Sequence, residues 1–220
     1  MPRSFSSRAS RARVLAERHP EARQALRFYA EVADFQQKID PGAPLASLPG
    51  LRALVASLGP DRLRTAARTI DEETCGRALE DTLSPASFFA RVLIQAARER
   101  PRGGAPRGCP RCGHSPQAAC LRPRGDGTEL VLVCSLCFEE WPASRDRCSE
   151  CDGAVELHQA AELPQIRVRT CGSCRLYLHV VRTDVEPEAI PEVDEMAALA
   201  LDVWARERGY RKIFPSLLGI

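Results

Sequence analysis

Hydrophobic positions recur three and four residues apart through roughly the first hundred residues, then give way to short β-type runs. Leu26, Tyr29, Val32, Phe35 and Ile39 make one helical stripe. It is opened by Pro20 in the place of a first helical residue and closed by Pro41-Gly42. Leu51, Leu54, Val55 and Leu58 make a second stripe, ended by Gly59-Pro60. Helices are also predicted from Asp61 to Thr69 and through Asp71 to Leu83. Ser84-Pro85 supplies an N-cap and a first helical residue for a helix carrying Phe88, Phe89, Val92, Leu93 and Ala96. These stripes predict a bundle core. The segment holds no paired carboxylates, nucleophile elbow or phosphate-binding glycine loop.

Pro101 to Gly108 reads as a Pro/Gly/Arg linker, and the texture changes beyond it. Strands are predicted at 129–133, 165–170 and 176–181. Helical periodicity returns from Asp194 to Arg208 through Met196, Leu199, Ala200, Val203 and Trp204, with Gly209 as its stop. The expected order is a helical domain (1–100), a linker (101–108), two cysteine-rich β modules (109–145 and 146–186), and a C-terminal helix and tail (187–220). The fold class is therefore α with a small β component.

The chemistry lies in the cysteines. Eight of the ten fall in four Cys-x-x-Cys pairs: Cys109/Cys112, Cys134/Cys137, Cys148/Cys151 and Cys171/Cys174. A turn between two such cysteines aims both sulfurs at one ion, and two turns complete a tetrahedron suited to Zn²⁺ or a single iron. The 21 residues between Cys112 and Cys134, and the 19 between Cys151 and Cys171, are close to the spacing of a four-cysteine ribbon. Sequential pairing closes the shortest loops. Two mononuclear metal ions, iron or zinc, are the expected cofactors. A redox-active pair wants one Cys-x-x-Cys at a helix start, and a four-iron cluster wants closely spaced runs of cysteines, so both fit less well. Cys109-Pro-Arg-Cys112-Gly113 has the glycine after its second cysteine that rubredoxin-type sites use, whereas Phe138, Asp152 and Arg175 follow the other pairs. Cys75 is expected to be a small core residue and Cys120 to lie in the first module's loop. His114, beside the first turn, could replace a thiolate, but four cysteines already complete the set, and His19, His158 and His179 are expected to be surface or hydrogen-bonded residues rather than ligands.

Composition narrows the function. Charge is nearly balanced, 31 basic against 29 acidic residues, and aromatics make up 5%. Both argue against strong phosphate steering and disfavour nucleic acid as a partner. All but Lys38 and Lys212 of the basic residues are arginine, and the arginines of the helices are expected on solvated faces. No apolar run approaches a membrane span and no signal peptide is visible, which predicts a cytoplasmic chain whose thiols stay reduced.

The run Cys134-Ser-Leu-Cys137-Phe-Glu-Glu140-Trp141-Pro-Ala-Ser-Arg145-Asp-Arg-Cys148-Ser-Glu-Cys151 is more specific than its cysteines. Together with Cys109-Pro-Arg-Cys112-Gly113, it resembles the formate dehydrogenase accessory protein family FdhE. The resemblance extends over about residues 20–220 and is strongest over 109–151. It implies a non-catalytic, chaperone-like maturation factor. The implied partner is the catalytic subunit of a molybdenum or tungsten formate dehydrogenase, with rubredoxin-like metal sites in which iron is implicated. Read from the residues alone, Trp141 can pack between the two modules, with Glu140 and Arg145 pairing across it. The same three residues are candidates for partner contact. A zinc-ribbon nucleic-acid binder and a rubredoxin-like electron carrier are the competing functions.

Overall fold

Alanine, more than leucine, lines the inner face of the first element. The computed structural model describes residues 4–77, 84–97 and 107–219. Helix α1 (Phe5–Arg18) is capped by Ser4, whose hydroxyl accepts from the Ser7 N–H at 3.1 Å. Its buried side carries Ala9, Ala12 and Ala16 around Leu15, small enough for α2 (Arg23–Lys38) to lie close against it. Helices α3 (Leu48–Leu58), α4 (Asp61–Ala67), α5 (Glu72–Arg77) and α6 (Pro85–Ala96) complete the helical half. Ser84 caps α6 by accepting from the Ser87 N–H. The predicted stripes fill one core, with Leu26, Val32, Leu51, Val55, Phe89 and Val92 fully shielded. Part of the predicted 71–83 helix and most of the linker, at 78–83 and 101–106, lie outside the described residues.

The β half is one seven-stranded sheet. It comprises β1 (Pro116–Arg124), β2 (Gly127–Cys134), β3 (Glu140–Pro142), β4 (Val155–Gln159), β5 (Ile166–Cys171), β6 (Leu176–Arg182) and β7 (Arg211–Lys212). The order is β3-β2-β1-β6-β5-β4, with β7 on β6. Pairing is antiparallel within each cysteine module. The modules join where β1 lies parallel to β6, Ala119 opposite Val180 and Leu121 opposite Arg182. Each module repeats one plan, Cys-x-x-Cys turn, strand, strand, Cys-x-x-Cys turn, strand. Cys120 sits on β1, not in a loop, because the hairpin turn falls later at Gly125.

The C-terminal segment differs from a single helix. A turn α7 (Pro191–Asp194) and a 3₁₀ turn (Glu195–Ala197) precede α8 (Leu199–Glu207), with Ala198 breaking the helical run. Ile190, Val193, Met196, Ala197 and Leu217 enter the core of the N-terminal helices. The arginines expected on solvated faces include three buried ones. Arg8 and Arg11 reach across to this segment, Arg8 Nε to Glu192 at 2.7 Å and Arg11 Nη2 to Asp194 at 2.5 Å. Arg91 is 4% exposed. Burial of such charges requires partners that are distant in sequence.

Candidate metal centres

Each Cys-x-x-Cys pair sits in a tight turn at a strand end, and the turns share one backbone device. The residue after the second cysteine takes a left-handed conformation in all four: Gly113 at φ 78°, Phe138 at 58°, Asp152 at 64° and Arg175 at 59°. That reversal aligns amides with the loop. Gly113 N–H donates to the Cys109 carbonyl, Asp152 N–H to Cys148 and Arg175 N–H to Cys171. Inside the turns, amides face sulfur, with Arg111 N–H on Cys109 and Leu136 N–H on Cys134 at 3.4 Å each, and Glu150 N–H on Cys148 at the same distance. The rubredoxin-like conformation thus occurs four times, although glycine marks it once.

The turns converge as two sets. Cys109, Cys112, Cys134 and Cys137 form one, and Cys148, Cys151, Cys171 and Cys174 the other; within each, the sulfurs lie within 4.8 Å of one another. Nearest sulfur distances run from 3.4 Å (Cys112–Cys134) through 3.5 Å (Cys109–Cys137 and Cys151–Cys171) to 3.7 Å (Cys148–Cys174). These are too long for disulfides, whose sulfurs are about 2.05 Å apart. They approach the edge of about 3.8 Å in a tetrahedron whose sulfurs stand about 2.3 Å from a central ion. Donors from Cys134 and Cys137 pull Cys112 down to about 4, and the same crowding pushes Cys134 up. Burial opposes ionisation at Cys171, but amide donors and the Cys151 thiol bring it to about 6. Four sulfurs competing for few protons fit a cation, and both sets can hold a metal ion. The first set is wholly buried, whereas Cys151 and Cys174 of the second are partly exposed.

Trp141 lies on edge strand β3 opposite Leu132, packed both on the first cysteine set and on the sheet face formed with Leu178. It lines a groove of about 750 Å³ that runs from Pro110, in the first turn, to Cys148 and Asp152, in the third. Glu140 and Arg145 do not pair with each other. Glu140 is bound by Arg122 across the sheet, and Arg145 donates to the Thr128 carbonyl and, at 2.7 Å, to its hydroxyl. Arg145 lies beyond the end of β3, and Glu140 and Arg145 are each held by a different partner.

His179 is a correction of another kind. It is fully buried on β6, with Nδ1 3.7 Å from Glu195 and Nε2 3.5 Å from Asp202. Tyr177 donates to Asp202 at 2.6 Å, and Lys212 from β7 stands 2.9 Å from Glu195. Lys212, one of two lysines among 29 arginines, was the available sequence signal for this buried group. His158 is part-buried, bonding Thr170 at 3.0 Å and packing its ring against Trp204.

Residues 146–218 match the family model described as FdhE, C-terminal domain. A protein FdhE homolog of Cronobacter sakazakii is 26% identical, the alignment covering 94% of this chain and 85% of that protein. The chain is similar to FdhE proteins along nearly its whole length, and its C-terminal third matches their family model. Homologs from Pseudomonas aeruginosa and Aquifex aeolicus are 38% and 29% identical over half of the chain. Those alignments span only 38% and 41% of the relatives' own lengths. The crystal structure of the FdhE protein from Pseudomonas aeruginosa superposes with a TM-score of 0.73 at 24% identity, covering 99% of this chain and 97% of that one. The fold of the family therefore runs through the whole chain, helical half included. No helix among the described residues is long and apolar enough to cross a membrane.

Proposed function

We propose that this chain is a cytoplasmic accessory factor that binds the catalytic subunit of a formate dehydrogenase and is needed for that enzyme's activity. Its eight paired cysteines are the ligands of two iron or zinc ions. Similarity to FdhE proteins carries the accessory role, and the two convergent sulfur sets support the metals. In this reading the ions close the turns and make the sheet rigid, so that little ordering entropy opposes docking. The groove beside Trp141 suits contact with the subunit, because it joins an aromatic, a strand edge and one turn from each cysteine set on one surface. Glu140 and Arg145 hold the shape of that surface through Arg122 and Thr128.

Two measurements test the reading. Elemental analysis of anaerobically prepared protein is expected to give two ions per chain, and fewer than one would refute the metal assignment. Affinity capture from the native host is expected to recover the formate dehydrogenase catalytic subunit. Trp141→Ala is expected to weaken that capture by about 2 kcal/mol while thermal stability holds. Loss of capture together with a lowered melting temperature would make Trp141 a packing residue only.

A further inference from the structure

Among the described residues, two buried arginines, Arg91 and Arg169, have no carboxylate at ion-pair distance, and Arg169 lies beside the second cysteine set. Arg169, on β5, is 4% exposed. It precedes Cys171 by two residues, which puts both side chains on one face of the strand. It lines the same small pocket as Cys148 and Cys171. Its Nη2 donates to the main-chain carbonyls of Ser144, at 2.9 Å, and of Arg147, while its Nε has no hydrogen-bond acceptor. Arg91, on α6, is equally buried. It donates to the Ser216 carbonyl at 2.9 Å and to the Gln117 side chain at 3.3 Å, its face covers the Phe214 ring, and its Nε is likewise without an acceptor. The same helix packs Ile94 on the first cysteine set and bonds Gln95 to the Ser135 carbonyl between Cys134 and Cys137.

A buried cation needs a compensating anion. Four thiolates around one divalent ion leave two net negative charges, and no other anion is ion-paired with either arginine among the described residues. We propose that Arg169 is the counter-charge of the second metal–thiolate centre and slows the loss of its ion. The inference rests on reading both cysteine sets as metal centres. Arg91 differs from Arg169, because the buried Glu195 carboxylate acts on it ahead of Tyr29 and Cys134.

The test uses the full chain loaded with zinc alone and challenged with a chromogenic chelator. Arg169→Gln keeps a donor for the carbonyls but removes the charge, and Arg169→Lys keeps the charge. In Arg169→Gln one of the two zinc ions is expected to leave about tenfold faster or more, the other unchanged. Arg169→Lys is expected to stay near the wild-type rate. Equal acceleration by Arg169→Gln and Arg169→Lys would reduce Arg169 to a clamp on the Ser144 and Arg147 carbonyls and overturn the proposal. So would an unchanged rate in Arg169→Gln. A wild-type chain that takes up no zinc would instead bring down the metal reading itself, and the inference with it.

Discussion

Three side chains stand where the backbone favours glycine, and each is held by a neighbour. Phe138 lies under the Arg8 guanidinium, 4.0 Å from its ring centre. Arg175 stacks on Tyr210 at 4.1 Å and donates to the Arg208 carbonyl. Asp152 has only exposed contacts with Arg147. A left-handed residue with a Cβ costs about 1–2 kcal/mol, partly offset by the entropy a glycine would lose. Asp152→Gly is therefore expected to stabilise the metal-loaded chain by about 0.5–1 kcal/mol, read from the denaturant midpoint. A lowered midpoint would show that the Arg147 contact matters more than the backbone. This device was half-legible in sequence. Gly113 announced it, whereas Phe138 and Arg175 concealed it, because their compensating partners come from α1 and the tail.

Among the elements, those with strong apolar periodicity were readable, and the ones missed are those whose burial is polar or small. In α1 the inner face alternates alanine with Arg8 and Arg11, so its stripe is weak until Glu192 and Asp194 neutralise it. Strand β1 begins and nearly ends with proline and carries Gln117 and three further polar or thiol side chains, which blurs its alternation. The tail strand β7 is two residues long, too short for any pattern, yet it delivers Lys212 to Glu195 and Asp202. Burial raises the Asp202 pKa, but His179, Lys212 and the Tyr177 hydroxyl together hold it below the ordinary value. Because the folded pKa is the lower one, Asp202 adds stability above about pH 4, lost as pH falls through the folded value. Asp202→Asn is expected to cost about 3 kcal/mol at pH 7, with the gap from wild type closing in acid. Metal loss in acid affects both proteins alike, so chemical denaturation of the pair at several pH values isolates this group. A gap independent of pH would mean that Asp202 acts as a hydrogen-bond acceptor and not as a charge.

At the scale of the molecule, the two cysteine modules looked like separate beads, since nothing in sequence signals a parallel pairing between segments 60 residues apart. The pairing of β1 with β6 makes them one sheet, and α6 rests on the first cysteine set. Damage should therefore travel. Cys134→Ser is expected to remove amide-exchange protection in β1 and β2 and also at Val180–Arg182 of β6, measured by hydrogen–deuterium exchange. Loss confined to residues 107–145 would restore the picture of independent modules. The interlock of the chain's two ends has a consequence for how the protein is made. The helical core needs Ile190, Val193, Met196 and Leu217, and Arg8 and Arg11 need Glu192 and Asp194. On the ribosome these residues emerge roughly 5–20 s after α6, at synthesis rates of about 5–20 residues per second. Through that interval the N-terminal helices carry two arginines and an apolar face with nothing to meet them. The helical core therefore stays open until residues 190–217 have been made.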